Sequence, residues 1–340
     1  MPVTGKTLDI DTSPHIKSGA SVDTIMRHVV YALLPVCAFS VYVFGLTALI
    51  TLTAATLSCL LTEHLLCRWR GDRTTIGDWS VAITGILYGL TLPPALPVWM
   101  IILGGAVGVG MGKFLFGGLG YNAFNPALIG RAFLQAAFPL SMTTWFEPLA
   151  EQRFVAVPSS TFTMPFASPV YDSVSSATPL SAMKFDGDVA AAADLVMGLT
   201  SGSTGETSSL LIIAGGLYLV ARKMMNWRIP VAILGTVAAF SGALYQVDPA
   251  VYPSPVFMLF AGGLMLGAVF MATDMVASPM TGLGCVLYGV LIGAMVVVIR
   301  LWGGMPEGVM YAILFANAVS PHIDRLVRPR VYGTAKRGAS

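Results

Sequence analysis

The sequence predicts an all-α polytopic membrane protein of about ten transmembrane helices, arranged as two inverted five-helix repeats. Three observations carry that expectation. Hydrophobic residues make up 55% of the 340 positions and charged residues only 11%, with a mean hydropathy of +0.76; a soluble domain carries roughly 25% charged residues. Apolar runs of a length that crosses a bilayer recur along the chain. The two sets of five runs also share landmarks. The formal net charge of +2 is too small to suggest a nucleic-acid partner, so what matters is where the charges sit.

Taken in order, residues 1–27 form a polar segment with Lys6, Lys17 and Arg27. It has no apolar core of the kind a cleavable signal needs, so the first span is expected to act as its own insertion signal. The first repeat, 28–141, holds candidate crossings near 28–45, 47–67, 79–94, 97–116 and 122–141. Leu92-Pro93-Pro94 stops the third, and Gly104, Gly105, Gly108, Gly110 and Gly112 stud the fourth. Such glycines let helices approach closely, and broken spans are tolerated where protein covers the freed backbone. A polar loop follows at 142–207. The second repeat, 208–321, holds crossings near 208–222, 229–246, 254–272, 283–302 and 307–321, and 322–340 is a basic tail.

Basic residues orient these spans. Arg68, Arg70 and Arg73 follow the second crossing, Lys113 the fourth, and Arg222, Lys223 and Arg228 the sixth; Arg325, Arg328, Arg330, Lys336 and Arg337 follow the tenth. With ten crossings all of these face the cytoplasm together with both termini. The loop then faces outward, periplasmic in a Gram-negative cell, where Arg153 and Lys184 stand against Glu147, Glu151, Asp172, Asp186, Asp188, Asp194 and Glu206. Each five-span half has a basic turn early and a Gly/Pro-broken polar segment later, 117–126 in one and 272–284 in the other. An odd number of spans per half inverts one half against the other, an arrangement that places binding sites near the bilayer midplane.

Those broken segments hold the polar candidates. In Gly117-Gly118-Leu119-Gly120-Tyr121-Asn122-Ala123-Phe124-Asn125-Pro126-Ala127, Pro126 suits a helix start with Asn125 as its cap. Asn122 and Asn125 either brace a re-entrant turn or hydrogen-bond the polar edge of a flavin ring, because an amide both donates and accepts. Asp274, in Phe270-Met271-Ala272-Thr273-Asp274, is an acid near membrane depth and hence a candidate for a second flavin or an ion. Arg131 and Arg300 are its candidate partners if it is structural instead. Ser201–Glu206 has the glycines of a phosphate loop without the lysine and reads as linker, and Ser18-Gly19-Ala20-Ser21 reads as a chance copy of the motif described next. The cysteines and histidines show no metal-ligand spacing.

The loop contains Asp172-Ser173-Val174-Ser175-Ser176-Ala177-Thr178-Pro179. By composition alone it is a turn. It also resembles the acceptor sequence of flavin transferases, which join FMN from FAD through its phosphate to a threonine. Asp172, Ser175, Ala177 and Thr178 fit that pattern, and Ser176 stands where glycine is usual. An acceptor hydroxyl is expected on exposed, deformable backbone so that a second enzyme can close around it.

These stretches together, with Met305-Pro306-Glu307-Gly308-Val309-Met310-Tyr311-Ala312, resemble the NqrB/RnfD family over about residues 20–330. The NqrB branch normally carries a longer N-terminal region, so the resemblance is to the Rnf branch. It implies a urea-transporter-like ten-helix inverted repeat in the bacterial inner membrane. It implies a subunit of an ion-translocating ferredoxin:NAD oxidoreductase with other Rnf subunits as partners, FMN covalently held by Thr178, and riboflavin as a non-covalent flavin whose paired asparagines match Asn122 and Asn125 in spacing. Coupling to Na+ or H+ makes Asp274 and Asp324 the acids to test. A solute channel or transporter of urea-transporter type, without redox chemistry, and a passive scaffold are the alternative readings.

Overall fold

The computed structural model describes residues 21–71, 74–165, 167, 177–206, 208–249 and 251–328. Among these residues every regular element is helical. Helix α1 spans Val22–Phe44, capped by Ser21, whose side chain accepts from the Thr24 amide. Gly45, at φ 70°, lets the chain reverse directly into α2, Leu46–Arg70, which ends on left-handed Gly71. Helix α3 is Ser80–Leu90, opened by Asp78, whose carboxylate accepts from the Ser80 amide at 2.8 Å. Helix α4, Val98–Val109, runs on into a π-helical turn at Gly110–Phe114. Helix α5, Pro126–Ala137, starts as the sequence predicts, with Asn125 accepting from the Ala127 amide and Pro126 in the first turn.

The second half begins with α6, Ser209–Ala221, capped by Ser208, followed by α7, Arg228–Val247. Helix α8, Pro255–Phe260, breaks at Ala261–Gly263, where Gly262 takes φ 68°, and resumes as Leu264–Leu266 and a π-helical turn at Gly267–Met271. Helix α9 is Gly282–Trp302 and α10 is Val309–Leu326. Each of the ten predicted crossings therefore carries helix. Only α1, α2, α7 and α9 are long and apolar enough to cross a membrane unaided. The others are short or broken where glycine and proline fall. This is a membrane protein, with its apolar α-helices assembled around a common buried core.

Packing follows one scheme in each half. In the first, α2 lies against α3 and α4, and α4 against α5; in the second, α7 lies against α8 and α9, and α9 against α10. Across the halves α1 meets α6 and α5 meets α10. Small residues make these approaches close, as expected where lipid offers no hydrophobic drive for association. A Cβ on Gly85 would come within 2.6 Å of the Thr56 Cα, and one on Gly289 within 2.6 Å of the Ala232 methyl.

Two sequence expectations are corrected here. Ser201–Glu206 is not a free linker: the Thr204 amide donates to the Leu92 carbonyl at 3.0 Å and the Gly205 amide to the Leu90 carbonyl at 2.6 Å. The segment satisfies carbonyls left open at the end of α3, a task for backbone that no phosphate-loop or linker pattern reveals. Lys113 is not a loop cation either. It is buried, and its ammonium bonds the Glu63 carboxylate at 2.9 and 2.8 Å and the Ser80 hydroxyl at 2.7 Å.

Candidate functional site

Helix α5 links two cavities, one at each end. Its twelve residues separate them by about 18 Å of helix. At its N-terminal end lies a cavity of about 110 Å³ lined by Asn122, Asn125, Asp274, Ser80 and Lys113 among apolar neighbours. At its C-terminal end lies one of about 530 Å³ lined by Arg131, Gln135, Trp145, Thr178, Phe185, Glu206 and Tyr311.

In the first cavity the structure brings three predicted residues together. The Asn125 amide group caps α5 and donates to the Met271 carbonyl at 3.2 Å, tying α5 to the broken α8 segment. Asn122 donates to the Asp274 carboxylate at 3.2 Å and to the Phe124 carbonyl at 3.3 Å. The Val276 amide donates to the other Asp274 oxygen at 3.1 Å. Arg131 and Arg300, the expected partners of Asp274, lie at the larger cavity, and Asp274, just past the π-helical turn Gly267–Met271, meets Asn122 instead. Beside this cavity stands the buried Glu63–Lys113 pair, with Thr75 also donating to Glu63. Sequence reasoning did not single out Glu63. Its signal was present as the one acid inside the apolar run 47–67. Asp324 lines neither cavity; it accepts from the Met280 amide at 3.1 Å.

In the larger cavity Thr178 caps a helical turn at Pro179–Ser181 that continues as a π turn through Asp186. Its hydroxyl accepts from the Ser181 amide at 3.2 Å and donates to the Ser181 hydroxyl at 3.0 Å. The residue is only 7% exposed, which corrects the expectation of an exposed acceptor. Pro179 starts a helical turn, and the residue before it is drawn in as the cap. Ala177, one position earlier, is exposed, and its carbonyl accepts from Ser201 at 2.8 Å. Asp172, Ser175 and Ser176 lie outside the described residues. Lys184 pins the turn to the end of α9, donating to the Arg300 carbonyl at 3.0 Å and the Met305 carbonyl at 3.1 Å.

The cavity floor is charged. Arg300, fully buried, donates to the Met258 and Ala261 carbonyls at 2.6 and 2.8 Å and so closes the break in α8. Glu307 accepts from Arg300 at 3.4 Å and from the Gly263 amide at 3.1 Å. Glu206, in the segment 201–206 between the apolar helices, accepts from Ser203 at 2.8 Å. Desolvation, then the neighbouring Glu307 charge, push the Glu206 carboxyl up to about 7 against the opposing pull of Arg131. Arg131 itself is buried, with no partner on its Nε.

Residues 9–333 match the NQR2, RnfD, RnfE family. The chain is 39% identical over 337 residues to the D subunit of the proton-translocating ferredoxin:NAD(+) oxidoreductase complex of Clostridium ljungdahlii, covering 96% of each chain. It is 38% identical to the D subunit of the Na(+)-translocating ferredoxin:NAD(+) oxidoreductase complex of Acetobacterium woodii, over 97% of this chain and 96% of the relative. It is 40% identical to the D subunit of the ion-translocating oxidoreductase complex of Stutzerimonas stutzeri, covering 94% of each.

Proposed function

The chain belongs to the NQR2, RnfD, RnfE family, and from that premise we propose that it is the membrane electron-carrier subunit of an ion-translocating ferredoxin:NAD+ oxidoreductase complex. Other subunits of that complex are its partners. Its FMN is held covalently by Thr178. The observation that carries the flavin reading is the Thr178 hydroxyl set at the wall of a cavity of about 530 Å³.

The residues there fit such a group. Trp145, Phe185 and Tyr311 offer apolar faces to a planar ring, Gln135 offers a donor and an acceptor, and a buried guanidinium nitrogen lacks a partner. Thr178 does no acid–base work; it is a tether. In attachment by a flavin transferase its oxygen forms a bond to the FMN phosphorus of FAD, the pyrophosphate bond to AMP breaks, and the threonine proton leaves with AMP. The flavin, once bound, supplies the electron-transfer chemistry, and the protein sets its position and potential.

The same packing scheme in both halves supports a ten-helix inverted repeat of urea-transporter type. The charge pattern supports cytoplasmic termini and a periplasmic 142–207 loop in an inner-membrane protein. At the other end of α5, Asn122, Asn125 and Asp274 form the proposed site of a second, non-covalent flavin (riboflavin), or of the coupled ion, Na+ or H+.

In-gel flavin fluorescence of the denatured chain, co-expressed with a flavin transferase, tests the reading. Fluorescence in the wild type that vanishes in Thr178→Val supports it. A dark wild-type band beside an active transferase overturns the flavin tether and favours a solute channel without redox chemistry.

A further inference from the structure

Among the described residues, Arg131 is the cation at the larger cavity that no side-chain hydrogen bond or close ion pair engages, although it feels the Glu206 charge across the cavity. Arg300 is consumed by two carbonyls and Glu307, and Lys184 by carbonyls at the end of α9. The two carboxylates are held as well, Glu206 by Ser203 and Glu307 by the Gly263 amide. Arg131 is more than nine-tenths buried, its Nε has no partner, and no ion pair or hydrogen bond reaches it among the described residues. Withdrawing a cation from water costs several kcal/mol unless an opposite charge or hydrogen bonds offset it. The Glu206 charge offsets part of that cost, and the unpartnered Nε leaves a buried donor free for a ligand.

Its place says which part of a ligand it meets. Arg131 sits on α5 and also lines the small recess between Thr91, Leu128, Gly263 and Leu266, behind the main cavity. Thr178 lines the same main cavity, next to exposed Ala177. A flavin tethered by its phosphate at Thr178 and seated in this cavity would share it with the Arg131 guanidinium.

We propose that Arg131 is the positioning residue for the ring end of the tethered flavin, its guanidinium bonding the polar pyrimidine edge and holding the negative charge that reduction places there. The inference rests on the flavin reading of Thr178. A cation at that edge favours the reduced ring, so it raises the potential.

The test is a redox titration at pH 8 of the purified full-length chain carrying covalent flavin, with in-gel fluorescence recorded in parallel. At a fixed ambient potential Arg131→Gln is expected to lower the ratio of reduced to oxidised flavin about tenfold, equal to ~30 mV for a two-electron couple, with fluorescence retained. Arg131→Lys keeps the charge and stays within about threefold of wild type. Arg131→Met keeps the length of the side chain without its charge and is expected to lower the ratio in the same direction, so the proposal remains testable even if Arg131→Gln fails to accumulate. Retained fluorescence with an unchanged ratio in Arg131→Gln, or in Arg131→Met where that variant alone is folded, overturns the role of Arg131 and leaves the tether standing. A dark wild-type band overturns both.

Discussion

At Thr178 the hydroxyl proposed to receive a phosphoester is also the cap of the turn that follows. Thr178→Val therefore removes two things. The lost cap costs about 0.5–2 kcal/mol, a modest fall in thermal midpoint, while covalent flavin is lost completely; a melt read beside the fluorescent gel separates the effects. Ser176 sits where the acceptor pattern prefers glycine, and a Cβ narrows the backbone conformations open to the transferase. Ser176→Gly is expected to speed flavin incorporation, measured as fluorescence against time after transferase is added. Glu206 carries the pH prediction. Its carboxyl titrates near 7 in the folded chain, above its ordinary value, so the folded state binds a proton that the unfolded state has already released. Its contribution is most favourable below the ordinary carboxylate value and is lost as pH rises towards 7. The melting temperature of detergent-solubilised wild type should drop between pH 5 and 8 by more than that of Glu206→Gln. An equal drop in both would show that Glu206 does not titrate there. The Asn125 cap before Pro126 was legible in sequence because it depends on neighbours in the chain. The partner of Asp274 was not, since it lies 152 positions away.

Among the helices, breaks and close approaches decide where polar groups may stand. Helix α8 stops at Ala261–Gly263, and the exposed carbonyls on its side of the gap are taken by Arg300 from α9. Arg300→Ala is expected to cost about 3–5 kcal/mol, because it strands those carbonyls and Glu307 in a buried setting. The loss should appear as a lower thermal midpoint and earlier proteolysis near residue 262. Helices α4 and α5 meet at Gly108, where a Cβ would fall 2.7 Å from the Pro126 carbonyl oxygen. Gly108→Leu must push α5 outward and carry Asn125 with it. It should loosen whatever binds at the Asn122–Asn125–Asp274 cavity while leaving fluorescence at Thr178 intact, read by non-covalent flavin retained after gel filtration. The glycines of α4 stood out in the sequence, whereas the break at Ala261–Gly263 fell inside the expected crossing 254–272 and was not read from it. The docking of Ser201–Glu206 on the end of α3 was hidden, because its hydrogen bonds use backbone groups that every residue owns. The Glu63–Lys113 pair was half visible: an acid in an apolar run demands a partner, but which basic residue answers it depends on the packing of α2 on α4.

For the molecule as a whole, hydropathy located the apolar stretches, and each of the ten expected crossings carries helix among the described residues. The coupled ion is not written in overall likeness. Relatives of 39% and 38% identity bear names that specify protons and Na+ respectively, so near-equal likeness accompanies different coupling. The proposed topology puts Asp188 and Arg222 on opposite sides of the membrane. Both are exposed, and cysteines placed there in intact spheroplasts should differ: Asp188→Cys reacts with a membrane-impermeant maleimide and Arg222→Cys does so only after lysis. Everything proposed for electron transfer depends on a flavin joined to Thr178. Mass spectrometry of the peptide containing that residue, isolated after co-expression with a flavin transferase, reads that bond itself. The expected peptide is heavier by one FMN less one water, with the added mass localised to Thr178 on fragmentation. An unmodified peptide, or the same mass on another residue of the loop, would contradict the tether.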